Sequence, residues 1–145
     1  MNKKVLITAC YLFMLLGTIQ AQEAQLEKAF TAISKLNGFE TYTKQQLINE
    51  GFIANNPQLG DVKMTIYGNA DPREQFLAVL ETIPSRLLYN EIRDERDKVT
   101  RYYTETDAQG VSYLLYAFVG KGGNDTVAML YKGGDEATYK AMIEK

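Results

Sequence analysis

The sequence predicts an α+β fold, an antiparallel β-meander of about four to five strands with helices packed mainly on one face. Three observations predict it. Residues 23–36 and the run around Phe76 carry apolar side chains at helical spacing. From Val99 to Tyr131 the chain alternates threonine-, tyrosine- and valine-rich runs with turn sequences. Gly133-Gly134-Asp135 then breaks that pattern and starts a last helix.

The first residues read as a targeting segment. Lys3 and Lys4 precede the apolar run Val5 to Leu16, and the small residue Ala21 precedes Gln22. This is the order of a secretory signal peptide, with cleavage expected after Ala21 and a single domain over 22–145. The run is too short for a permanent span, which needs roughly 20 apolar residues. Ile7-Thr8-Ala9-Cys10 resembles a lipobox. A cut before Cys10 would leave the apolar stretch Tyr11 to Ile19 on the product, so a mature chain without Cys10 is expected, in the periplasm or outside the cell.

In the mature part, Leu26, Ala29, Phe30, Ile33 and Leu36 mark one face of a first helix, which Asn37-Gly38 ends. Phe39 to Thr43 suits a short strand, and Lys44 to Glu50 a brief helix stopped by Gly51. Asn55-Asn56-Pro57 and Gly60-Asp61 are turn chemistry, and Val62 to Tyr67 alternates as a strand does. Asp71, Pro72 and Glu74 form a helix start ahead of the stripe Phe76, Leu77, Leu80 and Ile83; Pro84 closes it. Residues 85–93 fit a short helix or a strand equally. Strands follow over Val99–Thr106, Val111–Val119 and Thr126–Tyr131, and Tyr139, Met142 and Ile143 mark the final helix.

An exported chain with this order of elements, closing on Lys132-Gly133-Gly134-Asp135 and a helix, is similar to small exported proteins of unknown function common in Bacteroidota. The resemblance implies export and this fold. It carries no catalytic residues.

Composition narrows the chemistry. The chain has one cysteine, no histidine and no tryptophan. Once Cys10 leaves with the leader, Cys/His zinc sites, disulfides and Ser-His-Asp or Cys-His catalysis are excluded. Loss of Lys3 and Lys4 moves the formal charge from −2 to −4. The remaining charges are mixed, without the basic stripe a nucleic-acid partner requires. Gly120-Lys121-Gly122-Gly123 lacks the Ser or Thr of a phosphate loop and leads into a strand, so it reads as a hairpin turn. Arg93 to Lys98 reads as a solvated mixed-charge turn rather than a calcium loop. No metal or cofactor is expected. Asn124-Asp125-Thr126 is a formal N-glycosylation sequon, and Asp125-Thr126-Val127 is similar to an O-glycosylation motif of exported Bacteroidota proteins, which makes Thr126 the candidate modified residue.

A two-residue turn pairing Asp107 with Gly110, and another pairing Lys121 with Asn124, sorts the meander into two faces. Val99, Tyr103, Leu114, Tyr116, Phe118, Val127, Met129 and Tyr131 share the bulkier face, with Arg101 at its margin, and this face is assigned to the helices. The other carries Tyr102, Tyr113, Leu115, Ala117, Val119, Ala128 and Leu130, rimmed by Thr100, Thr104, Thr126 and Lys132. An apolar centre with a polar rim makes it the candidate interface for a protein partner or for self-association. The alternative is that helix 23–36 covers it as core. The functional expectation is an exported, non-enzymatic binding or assembly domain; the alternative is a small metal-independent hydrolase using carboxylates and tyrosines.

Overall fold

A computed structural model describes residues 23–67, 72–94, 98–120 and 126–144. The expected leader 1–21 with Cys10, the cap Asp71, the acids and arginine of 95–97 and the hairpin residues 121–125 lie outside the described residues. In chain order the elements are α1 (Gln25–Ser34), β1 (Phe39–Tyr42), α2 (Lys44–Asn49), a 3-10 turn (Pro57–Leu59), β2 (Gly60–Tyr67), α3 (Arg73–Glu81), a 3-10 turn (Ser85–Leu87), β3 (Leu88–Arg93), β4 (Val99–Thr106), β5 (Ser112–Val119), β6 (Val127–Gly133) and α4 (Glu136–Ile143). The fold is α+β, built on one open, fully antiparallel sheet in the order β1-β2-β6-β5-β4-β3. No helix among the described residues is long and apolar enough to cross a membrane.

Local chemistry accounts for the helix ends. Thr43 and Gln46 form a reciprocal capping box at the start of α2. Asp135 accepts from Ala137 N at the start of α4. Ala24, which precedes α1, has no capping side chain. Its place is taken from across the fold: the Glu105 carboxylate on β4 accepts from Gln25 N at 3.1 Å and Leu26 N at 3.0 Å. Two helix donors that lack intrahelical partners are thereby satisfied by a negative charge at the positive end of the helix dipole.

The ambiguous segment 85–93 resolves into a 3-10 turn and a strand. In the sheet order β3 is separated from β2 by three strands. The connection between them carries α3, whose Phe76 and Leu80 join α1 residues in one core. That core contains Leu26, Phe30 and Ile33 of α1 against Leu115, Ala117 and Val119 of β5 and Ala128 and Leu130 of β6. The two longer helices, α1 and α3, thus pack on this face, and the expectation of helices mainly on one face holds for them alone. A second cluster lies on the opposite face, where Leu47 of α2 and Tyr139 and Ile143 of α4 cover Val62, Leu114 and Tyr131.

Register corrects the expected face assignment. In the β5–β6 hairpin, Phe118 pairs with Val127 and Leu115 with Leu130, the register that follows from pairing Lys121 with Asn124. In the β4–β5 hairpin, Thr106 pairs with Ser112 and Tyr103 with Leu115, one residue away from the register expected. The cause is the turn. Gly110 N donates to Asp107 O while Asp107 N donates to Val111 O, and Gly110 sits at φ 82°. This is a three-residue loop ending on a left-handed glycine rather than a two-residue turn. The Asp107 carboxylate also accepts from Gln109 N and Val111 N at 2.9 Å each, which favours the longer loop. The slip moves Tyr102 to the face of Leu114, Tyr116 and Phe118, and moves Val99, Arg101 and Tyr103 to the face of Leu115.

Candidate binding face

The face offered as the interface is core. Tyr113, Leu115, Ala117, Val119, Ala128 and Leu130 are all buried beneath α1 and α3, with Leu115, Val119 and Ala128 wholly inaccessible. Only Tyr102 of that set remains half-exposed, and it belongs to the other face. The physical reason is coverage: the apolar stripe of α1 needs an apolar partner, and the flatter face with alanines at 117 and 128 lets a helix lie close.

The bulkier face is the one left partly open. α2 and α4 cover the end carrying Val62, Leu114 and Tyr131. Beyond them the cross-strand pairs run in two rows. One is Met64, Met129, Tyr116 and Tyr102; the next is Ile66, Val127, Phe118 and Thr100. Of these only Met64 is buried. Ile92, opposite Thr100 on β3, extends the second row to the sheet edge and is 52% exposed. Tyr102 and Tyr116 hold each other with ring centroids 5.4 Å apart, and Lys98 Nζ lies 6.0 Å from the Phe118 ring centre at the margin. Burial raises the Tyr116 phenol above its ordinary value. The face therefore presents neutral aromatic and thioether surface, which suits apolar contact.

Thr126 is 1% exposed, and its carbonyl accepts from Tyr67 N at 3.1 Å. Its hydroxyl is closed to a modifying enzyme in the folded chain, contrary to the accessibility expected of a residue beside a turn. Strand pairing with β2 extends to this residue and buries it.

Glu105, Asp107 and Tyr113, which lie together at one end of β4 and β5, are tied into structure. A cleft of about 270 Å³ is lined by Glu23, Lys28, Arg86, Glu105, Asp107 and neighbours. Glu105 is engaged by the N-terminus of α1. Hydrogen bonds from Val111 N and, further down, from the Tyr113 hydroxyl and Gln109 N hold Asp107 below the usual carboxylate range, against some desolvation. Desolvation and the Asp107 carboxylate push the Tyr113 phenol up to about 12. A general acid or base works best with a pKa near the working pH, and this pair is displaced from neutrality in both directions.

One polar cluster had no signal in the sequence. Arg101, only 8% exposed, donates to Glu91 at 2.9 Å, Glu81 at 3.3 Å and the Tyr103 hydroxyl at 3.3 Å. Glu81, Glu91 and Arg101 come from three separate elements, so no spacing rule links them. The cluster ties α3 and β3 to β4.

No family model, curated protein or solved structure matches the chain.

Proposed function

We propose that the chain is an exported, non-enzymatic binding domain that docks a protein partner on the open half of its sheet. The observation carrying this reading is the row Ile66, Val127, Phe118 with Tyr116, Met129 and Tyr102: apolar side chains left half-exposed on a rigid sheet whose other face is covered by α1 and α3. Monomeric domains rarely leave contiguous apolar surface open without a use for it. The partner it fits is a protein with its own apolar surface, because the aromatic centre offers few hydrogen-bonding groups. Export is supported by the order Lys3-Lys4, Val5 to Leu16, Ala21, and by the resemblance to small exported proteins.

A photoreactive amino acid placed at Phe118 or Met129 in the native host tests the reading. Both positions should yield one adduct of defined mass, while the exposed α3 position Gln75 should not. Phe118→Glu in the fold-intact protein should abolish the Met129 adduct. Equal labelling from Gln75, or none at either sheet position, rejects it. The intact mass of the same preparation should match a chain beginning near Gln22; an uncleaved chain rejects export.

A further inference from the structure

We infer that the outer edge of β3, which pairs with no strand among the described residues, pairs with β3 of a second copy, antiparallel about Ile92, joining two six-stranded sheets into one. This inference concerns the edge of the sheet and does not depend on what occupies its open face.

Two observations single out this edge. β3 is one of the two terminal strands of the sheet, β1 being the other. Of the four exposed large hydrophobic residues among those described, three lie on it: Leu88 at 37%, Tyr89 at 41% and Ile92 at 52%. A terminal strand carrying exposed apolar side chains is a template for another strand.

The register follows from hydrogen-bond alternation. Asp94 N donates to Lys98 O, so Asp94 and Lys98 are a hydrogen-bonded pair. Alternation along an antiparallel ladder makes Ile92–Thr100 hydrogen-bonded and Arg93–Val99 and Glu91–Arg101 not. The backbone groups of Ile92 therefore point to β4, and those of Glu91 and Arg93 point outward. In a pairing centred on Ile92, Glu91 of each copy exchanges both backbone bonds with Arg93 of the other. Ile92 meets its own equivalent at the two-fold axis.

Charge selects this register and the second copy as occupant. Glu91 and Arg93 already form an ion pair within the chain, on one face of the strand. The two-fold places each glutamate opposite the other copy's arginine as well. Centring on Glu91 would oppose two carboxylates, which destabilises a cross-strand pair. A strand that flanks an apolar centre, Ile92, with Glu91 on one side and Arg93 on the other is thus complementary to itself, as a two-fold interface requires.

The mature chain is expected to have no cysteine, which allows a direct test. Ile92→Cys is made in the full chain with Cys10→Ser, so that it is the sole thiol. Residues opposed in a non-hydrogen-bonded pair lie about 4.5 Å apart at Cα, within the disulfide range of about 4.4–6.8 Å. Under mild oxidation Ile92→Cys should form a covalent dimer about tenfold faster, or more, than Phe52→Cys, a comparably exposed apolar position. Sedimentation of the wild type should show its mass doubling with concentration, and Ile92→Lys should stay monomeric with an unchanged circular dichroism spectrum. A wild type monomeric at millimolar concentration overturns the inference, as does cross-linking of Ile92→Cys no faster than that of Phe52→Cys. Faster cross-linking of Leu88→Cys than of Ile92→Cys overturns the register.

Discussion

Leu115 and Phe118 sit three positions apart on β5, so they lie on opposite faces of the sheet. Replacing each by glutamate should give opposite results. Leu115 has 0% exposure and is flanked across the strands by Tyr103 and Leu130. Its new carboxyl would have to stay neutral at pH 7, at about 1.4 kcal/mol for each unit above a normal pKa of about 4.3, or about 4 kcal/mol. Lost burial of the leucine side chain adds about 2 kcal/mol. The sum, about 6 kcal/mol, is comparable with the whole stability of a domain this size, about 5–15 kcal/mol. Phe118→Glu keeps its carboxylate in water at a half-exposed position and should cost about 1 kcal/mol. The penalty at Leu115 also carries a pH signature. A carboxyl whose folded pKa is raised destabilises only above its unfolded pKa, so the Leu115→Glu chain should regain structure as the pH falls toward about 4. Thermal melts by circular dichroism at neutral and acidic pH measure both effects. A Leu115→Glu protein within about 1 kcal/mol of wild type, or a Phe118→Glu protein that unfolds instead, would refute the face assignment.

Other perturbations read single features of the fold. Tyr139 donates to Leu59 O at 2.7 Å and accepts from Gly134 N at 2.8 Å, so Tyr139→Phe strands both backbone groups and should lower the stability measured in urea by about 2–4 kcal/mol. Glu105→Ala removes the acceptor for Gln25 N and Leu26 N and should cost about 1–2 kcal/mol, with amide exchange rising first in the opening turn of α1. Tyr113 and Tyr131 are pushed from near 10 up to about 12, both by burial first. An acid with a raised folded pKa contributes a cost to ionisation that only the folded state bears, so their share of stability is intact below pH 10 and declines between 10 and 12. Ultraviolet titration should show these two phenols ionising last, together with loss of structure; ionisation near 10 in the folded protein would contradict the packing.

Much of this protein is legible along the chain. Helical spacing from Leu26 to Leu36 and at Phe76 to Ile83 locates α1 and α3, Gly51 marks where the short helix α2 has ended, and Asp135 marks where α4 begins. The β-rich runs after Val99 place β4, β5 and β6, because period and turn residues are local signals. What sequence could not decide is anything that depends on pairing at a distance. The turn at Asp107 to Val111 holds one residue more than the shortest closure, and a side-chain period of two converts that single residue into a change of face for all of β4. The two faces of β5 and β6 are nearly equal in apolarity, so only the position of α1, held by Glu105 far along the chain, settles which becomes core and which stays open. Thr126 looks like a turn residue and candidate acceptor in sequence, yet β2, far earlier in the chain, extends a backbone bond to it from Tyr67 and buries it. Arg101, Glu81 and Glu91 meet only because α3 carries the chain across to the far edge of the sheet, where β3 returns beside β4. Local propensity determines the elements; long-range burial and register determine what each face of them touches.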